Sequence, residues 1–378
     1  MAKPLVALIT NHDDDVYCFR KELIESLVAN GYDVLVSCPY GEKLELMREI
    51  NFIHDDVWID RRGINPVSDM KLIFYYRRLF KKYKPDIILT YTIKPNIYAS
   101  FVAMSLKIPY INNITGLGSV LKMKKSLQKF ILCLFKIAFK KSSCIFFQNE
   151  ENMRLALKQG LVNKNYRLIP GSGVNTKRFP LQDYPNGGNG IIGDTVVFNY
   201  IGRVLHDKGI DDYLEAAKII KENYPRTEFN IIGFIEPSEK YYKEKLEKLQ
   251  NQNIVIYRGQ QKDVIPFITK SHAIIHPSTY GEGMSNVLLE NASSGRVLIT
   301  TDNPGCQETV KNQETGFIYQ GGNVEALVNT VKRFLQVTND DRKKMGKMGR
   351  KYIENNFSRE IVIHAYINKI NEIVGRKR

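Results

Sequence analysis

No stretch of this chain holds the roughly eighteen consecutive apolar residues that a bilayer-spanning helix needs, so no spanning helix is expected. No Cys-x-x-Cys pair occurs. The cysteines, Cys18, Cys38, Cys133, Cys144 and Cys306, are odd in number and read as reduced thiols rather than staples or zinc ligands. The N-terminus lacks a signal-peptide pattern: Met1-Ala2-Lys3-Pro4 runs straight into strand-like Leu5-Val6-Ala7-Leu8-Ile9, which predicts a cytoplasmic protein. No Asp-x-Asp element stands at a strand end to hold a divalent metal on a diphosphate. The one run of three acids, Asp13-Asp14-Asp15, falls on the first loop and reads as a solvated loop and helix cap, with Arg20 and Lys21 following. Zinc-finger and RNA-binding aromatic motifs are missing too, and nucleic acid is not an expected partner.

What is present is a hydrophobic content of 43%, a charged content of 25% and a net charge of +15 over 378 residues. Those are the proportions of a globular protein long enough for two α/β domains. The positive excess calls for nucleic acid, an anionic membrane surface or phosphorylated substrates, and the placement of the charge decides among them.

Strand-like runs alternate with helix-like stretches. In the first half they fall near 4–10, 32–38, 55–60, 86–92, 109–115, 144–148 and 166–170. In the second half they fall near 196–202, 227–233, 253–258, 273–277, 297–301 and 316–319. This alternation predicts α/β architecture, with parallel sheets covered by helices on both faces. The segment Asp183-Tyr184-Pro185-Asn186-Gly187-Gly188-Asn189-Gly190 reads as a linker between domains 1–182 and 191–357. Two doubly wound, Rossmann-like domains would then face a cleft, with ligands at the carboxyl ends of the strands.

The most informative segment is His276-Pro277-Ser278-Thr279-Tyr280-Gly281-Glu282-Gly283-Met284-Ser285-Asn286-Val287-Leu288-Leu289-Glu290. A strand leads into Pro and Gly, and then Met284, Val287, Leu288 and Ala292 take helical spacing. Glu282 stands at the mouth of that helix and Glu290 about two turns on. Between them the amides of Gly283, Met284, Ser285 and Asn286 lack intrahelical partners and attract phosphate. By spacing alone, two glutamates eight apart on a helix usually mean two solvated surface charges. The surrounding context is what makes them specific. A second cluster, Gly202-Arg203 followed by His206-Asp207-Lys208-Gly209, sets a guanidinium fork and a lysine point charge on one loop, which suits a diphosphate. Taken alone it also fits two solvated side chains.

Together these segments resemble the donor-sugar signature of the retaining glycosyltransferases of family four, which have the GT-B fold. The resemblance spans nearly the whole chain and is strongest at 200–209 and 273–308. It implies that Arg203 and Lys208 meet the diphosphate of a UDP-sugar without a metal or other cofactor, and that Glu282 serves catalysis. It implies that Gly202, Arg258, Gly283, Met284, Ser285, Asn286 and Glu290 line the donor site, Arg258 beside the base. It also implies that the C-terminal helix, 358–378, crosses back to the first domain. Thr301-Asp302-Asn303-Pro304-Gly305-Cys306-Gln307-Glu308 resembles a pocket-structuring loop of the capsule, O-antigen and lipid-linked oligosaccharide branch.

The acceptor side falls to strand-end loops of the first domain: His12 after the first strand, Lys94 within Thr90-Tyr91-Thr92-Ile93-Lys94-Pro95-Asn96, and Asn113, Thr115 and Gly116 after the fifth. Many family members carry a histidine just before the Gly of that last loop. Here the position is Thr115, so no catalytic histidine is assigned. Leu121 to Ser142 has no acid and seven lysines, and at 100° per residue Lys122, Lys125, Lys129, Lys136 and Lys140 share one arc of about 60°. A basic stripe on an apolar helix suits an anionic bilayer carrying a lipid-linked saccharide acceptor, and it also suits a core helix with a solvated edge.

The expected activity is transfer of a hexose or N-acetylhexosamine from a UDP-sugar to a polyprenyl-diphosphate-linked saccharide, with the enzyme peripheral on the inner face of the plasma membrane. The alternatives are a UDP-sugar epimerase or hydrolase of the same fold and a non-catalytic sugar-nucleotide binding protein.

Overall fold

The computed structural model describes residues 3–60, 65–116, 120, 123–162, 164–281 and 283–375. The chain divides into two compact units, Met1–Ser172 with Arg359–Arg378, and Gly173–Ser358.

The first unit carries strands β1 (Leu5–Ile9), β2 (Asp33–Cys38), β3 (Ile53–Asp56), β4 (Ile87–Tyr91), β5 (Tyr110–Ile114), β6 (Cys144–Phe147) and β7 (Tyr166–Leu168). They form one sheet in the order β3-β2-β1-β4-β5-β6-β7, parallel throughout. Its helices are α1 (Asp13–Phe19), α2 (Lys21–Ala29), α3 (Glu42–Glu45), α4 (Pro66–Tyr83), α5 (Ser100–Ser105, entered through a π-helical turn Pro95–Ala99), α6 (Lys125–Phe139) and α7 (Glu150–Lys158). The second unit carries β8 (Val196–Ile201), β9 (Thr227–Ile232), β10 (Ile256–Gly259), β11 (Ala273–His276), β12 (Val297–Thr301) and β13 (Gly316–Tyr319), parallel in the order β10-β9-β8-β11-β12-β13. Its helices are α8 (Ile210–Asn223), α9 (Tyr242–Asn251), α10 (Ile265–Lys270), α11 (Asn286–Ser293), α12 (Val324–Gln336) and α13 (Asn339–Phe357). A last helix, α14 (Arg359–Gly375), belongs to the first unit.

The expectation of two doubly wound Rossmann-like domains holds. Each strand overlaps an expected run, although β3 (Ile53–Asp56) begins ahead of its expected 55–60 and β7 is exposed at all three positions. The central strands read as nearly unbroken apolar sequence because strands inside a parallel sheet are covered on both faces. β4 and β5 are buried at every position. Strand order reverses between β1 and β4 in the first sheet and between β8 and β11 in the second. Those two switch points are where a doubly wound sheet opens for ligand at its carboxyl ends.

One expectation is corrected. Segment 183–190 is not a linker, since it lies inside the second unit. Composition suggested a flexible tether, but buried polar groups strap the segment down. The Tyr184 hydroxyl donates to His272 O at 2.8 Å, and Asn339 Nδ2 donates to Pro185 O at 3.0 Å. Two fully buried arginines reach it as well, Arg296 Nη2 donating to Asp183 O (2.7 Å) and Arg342 Nη1 to Gly188 O (2.9 Å). The units instead join at Ser172–Gly173 and at Ser358–Arg359.

Candidate active site

In the second unit the sequence-predicted residues follow β8 and β11, the two strands flanking the switch point. At the end of β8, Gly202 donates its amide to Ile232 O at 2.9 Å. A Cβ on Gly233, at φ +150°, would stand 1.8 Å from Gly202 O, so the β8 and β9 loops close on each other only with glycine there. Arg203 follows, its carbonyl held by the Tyr200 hydroxyl at 2.7 Å. Its guanidinium meets the Glu236 carboxylate at 3.2 Å. Glu236 is buried while Arg203 remains partly exposed, so a fixed carboxylate aims a partly free cation.

Residues His206–Lys208 form a 3₁₀ turn ending at Gly209, at φ +73°. A Cβ on Gly209 would lie 2.0 Å from Pro277 O. That close approach docks the lysine turn on the loop after β11, and Thr279 N–H donates to Asp207 O at 3.2 Å across the same contact. Lys208 Nζ sits 5.1 Å from the centroid of the Tyr280 ring, a cation–π contact. Two segments more than sixty residues apart in the chain thus become one site.

The signature helix α11 begins at Asn286, with Ser285 as its N-cap residue. This corrects the expected mouth. The Ser285 amide is not open, because it donates to Gly305 O at 2.8 Å and ties the mouth to the loop after β12. The first i→i−4 bond runs from Leu289 N to Ser285 O, so the first-turn amides without an intrahelical acceptor are those of Asn286, Val287 and Leu288. Asn286 Oδ1 is buried with no hydrogen-bond partner among the described residues. The Ser285 hydroxyl meets His276 Nε2 at 3.2 Å. Gly283 and Met284 are buried beneath the mouth, and Glu290 is half-buried one turn into α11. Glu282 lies outside the described residues. The 301–308 loop structures this region: Asn303 Nδ2 donates to Tyr280 O at 2.6 Å, and Glu308 Oε2 accepts from Gly305 N at 2.7 Å.

Arg258 is not brought to this cluster. Its Nε donates to Asn230 Oδ1 at 2.8 Å, and its Nη2 lies 3.6 Å from the Glu228 carboxylate, so the side chain braces β9. Sequence reasoning did not single out Glu236 or Tyr280. The signal for Glu236 was one of two acids in the loop after β9, Glu236 and Glu239, and it is visible only once that loop is known to meet Arg203.

In the first unit, His12 is the N-cap of α1: its Nδ1 accepts from the Asp14 amide at 3.1 Å. The three acids are the first turn of α1 rather than a solvated loop. Asp13 is buried and accepts from Lys43 N at 3.1 Å. Among the described residues one group of possible metal ligands draws together, His12, Asp13 and Asp14, with donor atoms within 4.8 Å. Because these atoms already cap α1 and α3, capping accounts for the group.

Lys94 turns toward α4 and pairs with Asp69 at 2.6 Å, both side chains largely buried, and the Tyr98 hydroxyl takes the other Asp69 oxygen at 2.7 Å. Asn113 is interior rather than lining: its Nδ2 donates to Tyr366 of α14 at 2.5 Å, and its Oδ1 accepts from Gln148 at 3.1 Å. Thr115 and Gly116 remain half-buried at the end of β5. Thr92, within the loop expected on the acceptor side, has a backbone conformation that composition and periodicity do not carry. It holds φ +66° at the end of β4, a left-handed backbone strained for a β-branched residue, and its Oγ1 is buried without a partner among the described residues.

On α6, Lys125, Lys129, Lys136 and Lys140 are all exposed, while Lys122 lies outside the described residues. The same surface exposes Phe130 (58%) and Ile137 (45%), and Ile131, Phe135, Ala138 and Phe139 are buried on the opposite side. One face of this helix is therefore core, and its exposed face carries apolar side chains beside the lysines. No described helix is long and apolar enough to cross a membrane.

Comparison with known proteins agrees with this anatomy. Residues 187–352 match the family described as glycosyl transferases group 1, and residues 5–149 match glycosyl transferase 4-like. The chain is 29% identical to the capsular polysaccharide biosynthesis glycosyltransferase CapM of Staphylococcus aureus, over 80% of each chain. It is 25% identical to the N,N'-diacetylbacillosaminyl-diphospho-undecaprenol alpha-1,3-N-acetylgalactosaminyltransferase of Campylobacter jejuni, over 88% of this chain and 89% of the relative. A glycosyltransferase from Rickettsia africae superposes with a TM-score of 0.80 at 19% identity, covering 99% of each chain. Anabaena HepE in complex with UDP and glucose superposes at 0.79 and 13% identity, covering 98% of this chain and 99% of that one. With the domain matches covering both units and the site at the switch point of the second, the chain belongs to the family-four glycosyltransferases of GT-B fold, related to enzymes of capsular polysaccharide and lipid-diphosphate-linked saccharide assembly.

Proposed function

We propose that this glycosyltransferase moves a hexose or N-acetylhexosamine from a UDP-sugar to a polyprenyl-diphosphate-linked saccharide, retaining the anomeric configuration. The observation that carries the reading is that Arg203 and Lys208 follow β8 while the mouth of α11 follows β11, the two strands that flank one switch point, with Lys208 docked on the loop after β11. Cations and a helix N-terminus on loops flanking one switch point suit the charge that grows on a departing diphosphate. That supports turnover without a metal or other cofactor. Glu290, half-buried inside α11, suits the ribose hydroxyls, and Glu282 is read as the carboxylate that meets the transferred sugar. The Staphylococcus and Campylobacter relatives support the acceptor class.

The loops after β1, β4 and β5 are read as the acceptor side, with Thr92, Thr115 and Gly116 nearest the ligand. Strain held at Thr92 is the kind of cost a binding loop retains. The exposed face of α6 is read as resting on the anionic inner leaflet: lysines meet phosphate, and Phe130 and Ile137 enter the interface.

The test is product mass after incubation with a panel of UDP-sugars and a short prenyl-diphosphate saccharide, with and without EDTA. Transfer that survives EDTA is expected. Release of free sugar or an epimer without transfer would favour the hydrolase or epimerase reading, and loss with EDTA restored by manganese would overturn metal independence.

A further inference from the structure

The loops assigned to substrate follow the carboxyl ends of the strands. A separate pair of cavities opens at the amino ends of β5, β6 and β7, where Pro109, Ser143 and Asn165 each precede a strand. The two cavities, of about 620 and 600 Å³, adjoin through shared walls at Lys140, Ser142 and Asn165. Nothing in the glycosyl-transfer reading uses them.

Their chemistry is divided. The first is walled by Lys140, Lys141 and Lys369, with Glu372 as its one carboxylate. Lys369 is a built-in charge: it is 9% exposed and pairs with Glu372 at 2.9 Å. The second is walled by Ile137, Phe139, Leu161 and Val162, with Lys136 and Lys164 among its polar lining. Lys136 leans over the loop after α7, where a Cβ on Gly160 would lie 3.8 Å from its Nζ. Lys136, Lys140, Lys141 and Lys164 have no carboxylate within ion-pair distance among the described residues. Five lysines against one carboxylate ask for an anion, and the adjoining apolar wall asks for a chain attached to it.

We propose that these cavities bind one anionic phospholipid, its phosphate between Lys140 and Lys141 and its first acyl methylenes against Ile137, Phe139 and Leu161. The proposal rests on the reading of α6 as membrane-facing, since Lys136 and Lys140 belong both to that stripe and to the cavity walls. It adds a discrete, saturable site to what is otherwise a diffuse electrostatic contact.

The test titrates the full chain with dihexanoyl-phosphatidylglycerol below its micellar concentration, following amide shifts. The parallel titrants are dihexanoyl-phosphatidylcholine and glycerol phosphate. Saturable binding of the phosphatidylglycerol, at least tenfold tighter than either control, is expected. The double substitution Lys141→Glu, Lys164→Glu lies outside the stripe and should weaken it at least tenfold. The double substitution Lys125→Glu, Lys129→Glu lies outside the cavities and should leave it unchanged while reducing flotation with phosphatidylglycerol vesicles. Equal binding of glycerol phosphate would make this a phosphate site and overturn the lipid assignment. Equal loss in both double variants, or no saturation, would overturn the cavity. If the short lipid binds saturably while no protein floats, the site stands and the membrane-surface reading of α6 fails.

Discussion

Arg203 is partly exposed and its aim depends on one buried acid, Glu236, 3.2 Å away. Arg203→Ala and Lys208→Ala should each lower kcat by about 100-fold or more, because each cation meets charge that appears on the leaving diphosphate. Glu236→Gln keeps the shape and removes the charge that orients the guanidinium. It should lower kcat by about tenfold with donor affinity nearly unchanged, which a purely structural defect would not do. Steady-state kinetics with calorimetry on the same preparations separates the cases. Glu290 should show the opposite split. If it grips the ribose, Glu290→Ala loses charge-assisted hydrogen bonds worth about 1.5–3 kcal/mol, and UDP-sugar affinity by calorimetry should fall by about ten- to a hundredfold. Unchanged affinity would remove Glu290 from the donor site. Residue identities at this site were legible because strand, Gly-Arg, Lys-Gly and the second glutamate stand in fixed local order. The orientation of Arg258 was not legible, because its partners Asn230 and Glu228 lie on the neighbouring strand.

At the scale of elements, the strap 183–190 and the helix α6 show opposite outcomes of composition reading. Gly, Pro and Asn marked the strap as a linker, yet it is bound by contacts from helices and strands up to 154 residues away, which composition cannot carry. His272 is one of those contacts. Its Nδ1 accepts from Val197 N at 3.0 Å, and its Nε2 faces Asn186 O at 3.0 Å. Burial, reinforced by the nearby charges of Arg342 and Arg296, lowers its pKa to about 4. The unfolded chain, near the ordinary value of about 6.5, binds this proton first. Stability from the neutral imidazole is therefore complete above about pH 6.5 and is lost as pH falls toward 4, by up to about 1.4 kcal/mol per pH unit. Urea unfolding at pH 7 and pH 4.5 should show that extra loss in the wild type, and His272→Gln should lack it. On α6 periodicity was sufficient, since a 100° repeat fixes which lysines share a face. Reversing Lys125, Lys129 and Lys136 to Glu removes attractions of about 1 kcal/mol each and adds repulsion. Flotation with anionic vesicles should be lost while free UDP-sugar still binds, and equal flotation of mutant and wild type would assign the helix to the core alone.

The whole molecule is two folding units with one discontinuity. Strand placement and the parallel arrangement were readable because buried strands advertise themselves in sequence. Of the true crossing points, Ser172–Gly173 sits in the short Pro170-Gly171-Ser172-Gly173 turn, which the longer run at 183–190 outweighed, and Ser358–Arg359 has no Gly or Pro beside it. They follow from which core each helix completes. Val362, Tyr366, Ile367, Ile370 and Val374 of α14 are buried in the core built on β1, β2 and β4, and Tyr366 also packs against Phe146 at 4.7 Å and accepts from Asn113. At about 1.5–3 kcal/mol per buried side chain, those five residues contribute on the order of 10 kcal/mol, as much as the net stability of an ordinary domain. The second unit closes its own ends. Val174 and Phe357, at its two ends, close their own cluster and pair backbone to backbone at 2.9 Å. A chain of residues 173–358 alone should therefore unfold cooperatively and bind UDP-sugar with near-native affinity, because Arg203, Lys208 and α11 all lie within it. Residues 1–172 alone should lack a cooperative thermal transition and be cut rapidly by protease, and adding 359–378 through a short linker should restore both properties. Cooperative melting of 1–172 without α14 would show that the returning helix is a passive cover and not part of the first unit's core.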